Sequence, residues 1–107
     1  MGMTGSEPDV WTIIRKPKAI DDLAAIWLYL AEHGDDLADR WIDRIDEGVG
    51  RLAEYPKAGA GRAILADDLR VWPVPPYLIL YRLDESARIV DILRIVDGRR
   101  DVGKLLT

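Results

Sequence analysis

Apolar residues recur along this chain with two different periods, and the change from one to the other divides it. The segment Val10–Arg15, VWTIIR, is rich in β-branched and aromatic residues and lies between Pro8 and Pro17, which predicts a first strand. Pro17 suits the first turn of a helix. From Ile20 the residues Leu23, Ala24, Trp27, Leu30 and Ala31 follow at spacings of three and four, so they share one helical face. Gly34 ends that helix. Asp35 or Asp36 is expected to cap a second one, whose stripe of Ala38, Trp41, Ile42, Ile45, Val49 and Leu52 stops before Pro56. The short link makes the pair an antiparallel helical hairpin. Gly48 and Gly50 each weaken the second helix by up to ~1 kcal/mol relative to alanine, and close packing against a neighbour is the expected reason for both.

Past the loop Lys57–Arg62, KAGAGR, the period becomes that of strands. Leu69–Val74, Tyr77–Leu83 and Ala87–Val96 are the candidates, the last two joined through Asp84, Glu85 and Ser86 as a hairpin loop. Pro73, Pro75 and Pro76 each lack a ladder donor, which puts the LRVWPVPP segment at an edge or a bulge. Gly98 ends the last strand, and Arg99–Thr107 is a short basic tail with room for one or two helical turns. The predicted fold is α+β: an N-terminal strand and a two-helix hairpin packed on a mainly antiparallel sheet of three or four strands. The order of elements leaves the pairing partner of the first strand open.

At 107 residues the chain builds one hydrophobic core, and residues 10–107 are read as a single domain after a flexible leader, residues 1–9. With 49% hydrophobic and 32% charged residues the balance is globular, and no apolar run approaches the ~20 residues that span a bilayer. The leader has no apolar segment of the secretory kind, which together with the absence of cysteine leads us to expect a cytoplasmic protein without disulfides or a thiolate nucleophile. The net charge of −4 is unevenly spread. Lys18–Lys57 carries five basic and ten acidic residues, whereas Ala58–Thr107 carries eight basic and seven acidic. A protein that coats nucleic acid usually has a basic surplus, so only a local arginine patch fits this distribution.

Candidate chemistry is sparse. His33 is the sole histidine, and it lies beside the C-terminus of the first helix, where capping is its simplest use. The paired acids Asp21-Asp22, Asp35-Asp36, Asp46-Glu47 and Asp67-Asp68 read as solvated faces and caps, because adjacent residues on a helix diverge and no second ligand cluster accompanies them. No metal, cofactor or catalytic residue is expected. Arg62, Arg70, Arg82, Arg94, Arg99 and Arg100 gather in the sheet half and keep their charge at physiological pH, which makes them candidates for gripping an acidic or phosphate-bearing surface. Trp27, Leu30, Trp41, Ile45 and Tyr81 are candidates for an apolar groove that takes a partner helix.

Taken in order, AIDDLAAIWLYLAEHG, ADRWIDRIDEGVGRLAEYPKAGAGR, LRVWPVPPYLILYRL and IVDILRIVDGRRD resemble the ParE branch of the RelE/ParE toxin superfamily, over nearly all of Val10 to Val102. The most specific parts are the junction from LAEYP to GxGR, the run Tyr77-x-Ile79-x-Tyr81-Arg82, and Ile92-Leu93-Arg94-Ile95 followed by Gly98-Arg99-Arg100-Asp101. The resemblance implies the toxin of a bacterial type II toxin-antitoxin pair, with a ParD-like or related antitoxin whose disordered C-terminal segment folds over the toxin and helps repress their shared promoter. The ParE branch is associated with poisoning DNA gyrase; the RelE branch cuts mRNA on the ribosome with basic residues and a Tyr or His near the C-terminus. The sequence departs from both at Asp97, where many relatives carry His before Gly-Arg, and it has no tyrosine after Tyr81. Those departures favour a non-enzymatic gyrase inhibitor, with Arg62, Arg82, Arg94, Arg99, Arg100 and Asp101 as target contacts, with DNA met only through antitoxin or gyrase and no membrane partner. The alternatives are a ribosome-dependent mRNA interferase and a non-toxic member that serves only in a repressor complex.

Overall fold

The computed structural model describes residues 10–61 and 68–99, and the leader, the loop at 62–67 and the tail from 100 lie outside the described residues. Within them the order is β1 (Thr12–Arg15), α1 (Pro17–Ala31), α2 (Asp35–Glu54), β2 (Ala60–Gly61), β3 (Arg70–Val74), β4 (Tyr77–Asp84) and β5 (Ile89–Asp97). The strands form one mixed sheet in the order β1-β5-β4-β3-β2. Its antiparallel part contains the expected run β3-β4-β5, with the short β2 added beside β3. β1 lies parallel to β5, with Thr12 opposite Ile89 and Arg15 opposite Ile92, which settles the partner that element order left open. The two-residue β2 falls inside the predicted KAGAGR loop, too short for any periodic signal.

Pro17 opens α1, whose first turn hangs on the Lys16 carbonyl. At its other end the His33 and Gly34 N–H groups donate to Leu30 and Ala31. Gly34 then takes φ 136°, a conformation that side chains resist, and reverses the chain directly into α2. It stands at the N-cap itself. Asp35 and Asp36, expected as caps, are instead the first two helical residues, where their carboxylates still face the positive end of the helix dipole.

α2 presents the predicted stripe: Ile45, Val49 and Leu52 pack on Ile79 and Tyr81 of β4 and on Val90 and Ile92 of β5. A β-carbon at Gly48 would lie 2.9 Å from Val74 Cγ2 and 3.3 Å from Ile79 Cδ1, so this glycine lets the helix settle on the sheet. Gly50 has nothing within 4 Å of that position, so close packing explains one glycine and not the other. α1 corrects the sequence reading more substantially. Its inward residues are Ala19, Leu23, Ile26 and Leu30, while Ile20 is 53% exposed and Ala24 is exposed too. Leu23 and Leu30 of the predicted stripe do face inward, Trp27 and Ala31 are partly buried, and Asp22, described below, turns to the same side.

Pro73 sits opposite Leu78 on β3 beyond the end of β2, at an open edge as its missing donor requires. The irregularity in the sheet falls elsewhere, between β4 and β5: Leu80 pairs Arg94 but Tyr81 pairs Ile92, which leaves Leu93 as an extra residue. The β4–β5 hairpin loop is Glu85–Arg88 and not Asp84–Ser86, because Asp84 still pairs Ile89. The Asp84 carboxylate accepts from the Ala87 N–H and the Ser86 hydroxyl and tightens that loop, and the same two bonds hold its pKa below the ordinary value. Away from the helices the sheet has a second apolar face, built of Leu69, Val71, Leu80 and Val96 with Leu78 and Leu93 around them.

Tyr81 ties the α2–β2 connection to the sheet. Its ring is fully buried, its hydroxyl donates to the Pro56 carbonyl and accepts from the Gly59 N–H, both at 2.8 Å, and Arg70 Nη1 donates to the Gly59 carbonyl at 2.9 Å. Burial raises the phenol pKa above its ordinary 10, so folding favours the neutral ring. A raised folded-state value gives stability that is fully present below about pH 10 and is lost as pH rises through the folded pKa. Chemical denaturation at several pH values checks this: the wild-type chain loses stability in the alkaline range, and Tyr81→Phe has a shallower alkaline fall. The variant is also less stable at neutral pH by ~1–3 kcal/mol, because two buried backbone groups lose their partner.

Candidate interaction site

One charged side chain of α1 turns inward with its apolar face. Asp22 faces β5, where its two carboxylate oxygens accept from Arg94 Nε at 2.8 Å and Nη2 at 2.9 Å, and Oδ2 also accepts from the Ile95 N–H at 2.9 Å. The extra residue at Leu93 makes this geometry accessible. Past Ile92 the strand has run beyond β1, so the Ile95 N–H has no ladder partner on that side, and Asp22 supplies one. Both side chains are largely buried, 17% exposed for Asp22 and 20% for Arg94. The hydrogen bonds from Arg94 to Asp22 raise the pKa of the guanidinium further above its ordinary value.

Because Asp22, Leu23 and Ile26 turn inward, other apolar residues of α1 turn outward: Leu28 is 65% exposed and Tyr29 60%. Between α1 and the end of β5 lies a cleft of about 320 Å³. Ala25, Ile26 and Tyr29 form one wall, Tyr77 and Ile95 the other, and the Asp22–Arg94 pair is part of its lining. Asp97 and Arg99 flank it, joined by bonds of 2.9 and 2.6 Å, and the Arg99 N–H also donates to Asp97. These bonds raise the guanidinium pKa of Arg99, and the phenol pKa of Tyr77 is raised by burial and then by the Asp97 charge. Exposed Ile20, Ala24 and Leu28 continue the apolar surface along α1.

The structure sorts the candidates named from sequence. Arg94 and Arg99 line the cleft; Arg82 is an exposed residue of β4 and pairs with Asp68 at 2.9 Å. These three have carboxylate partners and form ion pairs instead of a bare cationic patch. Arg62, Arg100 and Asp101 lie outside the described residues. Of the proposed partner groove, Leu30, Ile45 and Tyr81 are buried in the chain's own core and present no contact surface. Trp27 and Trp41 keep partial exposure: Trp27 Nε1 donates to Asp39 at 2.8 Å across the helix hairpin, and Trp41 lies edge-on to Tyr77 with the Arg44 guanidinium 4.7 Å from its ring. His33 stands edge-on to Tyr29 at the hairpin turn. Among the described residues no group of three or more His, Cys, Asp or Glu is placed to hold a metal, and no helix is long and apolar enough to cross a membrane. Sequence reasoning missed Asp22, Leu28 and Tyr29, although the excess of apolar residues around α1 was a visible sign of a second apolar face.

Residues 13–102 match the family model described as the ParE toxin of the type II toxin-antitoxin system parDE. The chain is 34% identical over 95 residues to Toxin ParE3 of Caulobacter vibrioides, covering 88% of this chain and 93% of that protein. It is also 34% identical over 91 residues to Toxin RelE2 of the same organism, covering 85% and 94%. Among solved structures it is similar to the chromosomal ParDE toxin-antitoxin system from P. aeruginosa, with a TM-score of 0.72 at 25% identity, over 83% of this chain and 97% of that one. The RelBE2 toxin-antitoxin complex of Mycobacterium tuberculosis shares the fold, with a TM-score of 0.61 at 22% identity, over 82% and 98%.

Removing the Asp22 charge tests what holds the cleft. Asp22→Asn removes the carboxylate charge beside a largely buried guanidinium, and denaturant unfolding should register a loss of ~2–3 kcal/mol, well beyond that of an exposed pair such as Arg82–Asp68. Equal losses for Asp22→Asn and Asp68→Asn would place both pairs in the same minor class.

Proposed function

The chain belongs to the ParE toxin family of type II toxin-antitoxin systems, and from that premise we propose that it inhibits DNA gyrase by binding and is silenced by a cognate ParD-like or related antitoxin. The observation that carries the antitoxin part is the outward apolar surface of α1, where Ile20, Leu28 and Tyr29 are each more than half exposed and run into the cleft beside β5. A surface of this kind on a small domain suits the apolar side of an amphipathic segment that orders as it binds.

The choice of a binding mechanism over RNA cleavage rests on chemistry at the end of β5. An RNase of the RelE kind needs a proton acceptor beside the scissile phosphate and bare positive charge around it. Here the carboxylate of Asp97 occupies the position beside the Gly98 turn, bonded to Arg99, and it repels a phosphate. Arg94 is committed to Asp22. A protein target instead demands a complementary surface, for which ion-paired arginines and an apolar cleft are suitable material. The 34% identity to Toxin RelE2 favours a second reading, a ribosome-dependent mRNA interferase; a non-toxic partner in a repressor complex is the third.

Two measurements test this. Purified protein is expected to block supercoiling by gyrase with accumulation of cleaved DNA and to leave ribosome-bound message intact; efficient cleavage of message in the ribosomal A site with gyrase unaffected would promote the second reading. Leu28→Asp, at an exposed position, is expected to keep the fold and to weaken antitoxin binding by about tenfold or more, since truncated anchors at interface centres commonly cost ~2 kcal/mol. Unchanged affinity would move the antitoxin off this face of α1.

A further inference from the structure

The outward face of α1 is apolar in a particular order. Ile20, Ala24 and Leu28 follow at intervals of four and form one ridge, with a small residue at its middle and a large one on each side. Ile20 is 53% and Leu28 65% exposed, and Ala24 and its neighbour Ala25 are exposed as well. The ridge is symmetric about Ala24, but the charges around it are not. Lys16 and Lys18 stand at the N-terminal end of α1 and Glu32 at its C-terminal end, with no acidic residue in the first turn and no basic one in the last, so their order opposes the helix's own dipole. Lys16 pairs with Asp91, whereas among the described residues neither Lys18 nor Glu32 has an ion-pair partner.

We propose that, in the absence of an antitoxin, two copies of the chain pair through α1, antiparallel, about a twofold axis at Ala24. Ile20 of each copy then meets Leu28 of the other, and the two Ala24 residues let the backbones approach closely. The charges fall into place with the same register. Lys18 lies about 9 Å before Ala24 along the helix and Glu32 about 12 Å after it, and the two are only about 40° apart around it, on one flank of the ridge. The twofold operation keeps that flank on one side of the pair, so each Lys18 faces the Glu32 of the other copy, displaced by about 3 Å along the axis. A parallel pair would instead set lysine against lysine and glutamate against glutamate. A second copy is thus the occupant that matches both the symmetry of the ridge and the opposed charges at its ends. The exposed Asp21 also stands on that flank, and one helix pair buries well under the ~1,600 Å² of a standard interface, so the association is weak, with a Kd of about 10–100 µM. Pairing conceals the face assigned above to the antitoxin, which must then compete with a second toxin for it; the pairing itself rests on α1 alone and not on that assignment.

Analytical sedimentation of the purified full-length chain alone, at low ionic strength and at concentrations on both sides of that Kd, provides the test. A reversible equilibrium of monomer and dimer is expected; a monomer throughout overturns the proposal. Lys18→Glu and Glu32→Lys, both at exposed positions, are each expected to weaken self-association by about fivefold or more, because each dimer then holds two repelling contacts in place of two attracting ones. Mixed with each other, the two variants are expected to regain the affinity of the unaltered chain, since in the mixed pair both contacts again join opposite charges. The double variant Lys18→Glu/Glu32→Lys is expected to regain it without mixing. A dimer indifferent to these changes, or single variants that fail to complement one another, overturns the antiparallel pairing. Neither antitoxin nor gyrase is present, so these outcomes are separate from those that decide the proposed function.

Discussion

The architecture turns on a single carboxylate that crosses from a helix to a strand. Asp22 neutralises Arg94 and completes the backbone of Ile95, and both acts depend on the extra residue at Leu93 that turns β5 at the place where β1 stops covering it. A buried ion pair is a weak source of net stability, because the desolvation of two charges offsets most of their attraction. Its geometric effect is strong: with Asp22 pointing inward, the rotation of α1 about its own axis is fixed. That rotation decides which apolar residues join the core and which face solvent.

Several charges among the described residues are neutralised locally. Arg94 with Asp22, Arg99 with Asp97, Arg82 with Asp68 and Arg15 with Asp46 each combine a basic residue and an acidic one that are close in space. A surface composed of such pairs has little long-range field to attract a polyanion, and its specificity comes from shape and short-range complementarity.

The strands were legible because alternation is a strictly local signal: YLILYRL and ARIVDILRIV announce themselves within a few residues. α2 was legible for a similar reason, since its charged and apolar faces are cleanly separated. α1 was legible only in part, because it is apolar on two sides and its inward charge Asp22 reads as a surface aspartate until a partner 72 residues away is known. The same distance hid the fate of Arg94, whose place in a cluster of arginines along the sequence suggested a bare patch. Tyr81 shows the converse: a large aromatic in a family motif looked like a contact, whereas its hydroxyl is occupied with the backbone of Pro56 and Gly59. Gly50 was read as a packing glycine on propensity alone, and nothing in its surroundings accounts for it.

The parallel pairing of β1 with β5 joins the first element of the sheet to the last. During synthesis the helix hairpin can form as soon as it emerges, but β1 has no neighbour until β5 has been made, and β4 lacks its longer partner until the same moment. Contacts so distant along the chain form late in folding. A nascent or prematurely released polypeptide therefore lacks the completed sheet, the Asp22–Arg94 tie and the cleft together, so the assembled surface exists only after translation has passed the end of β5.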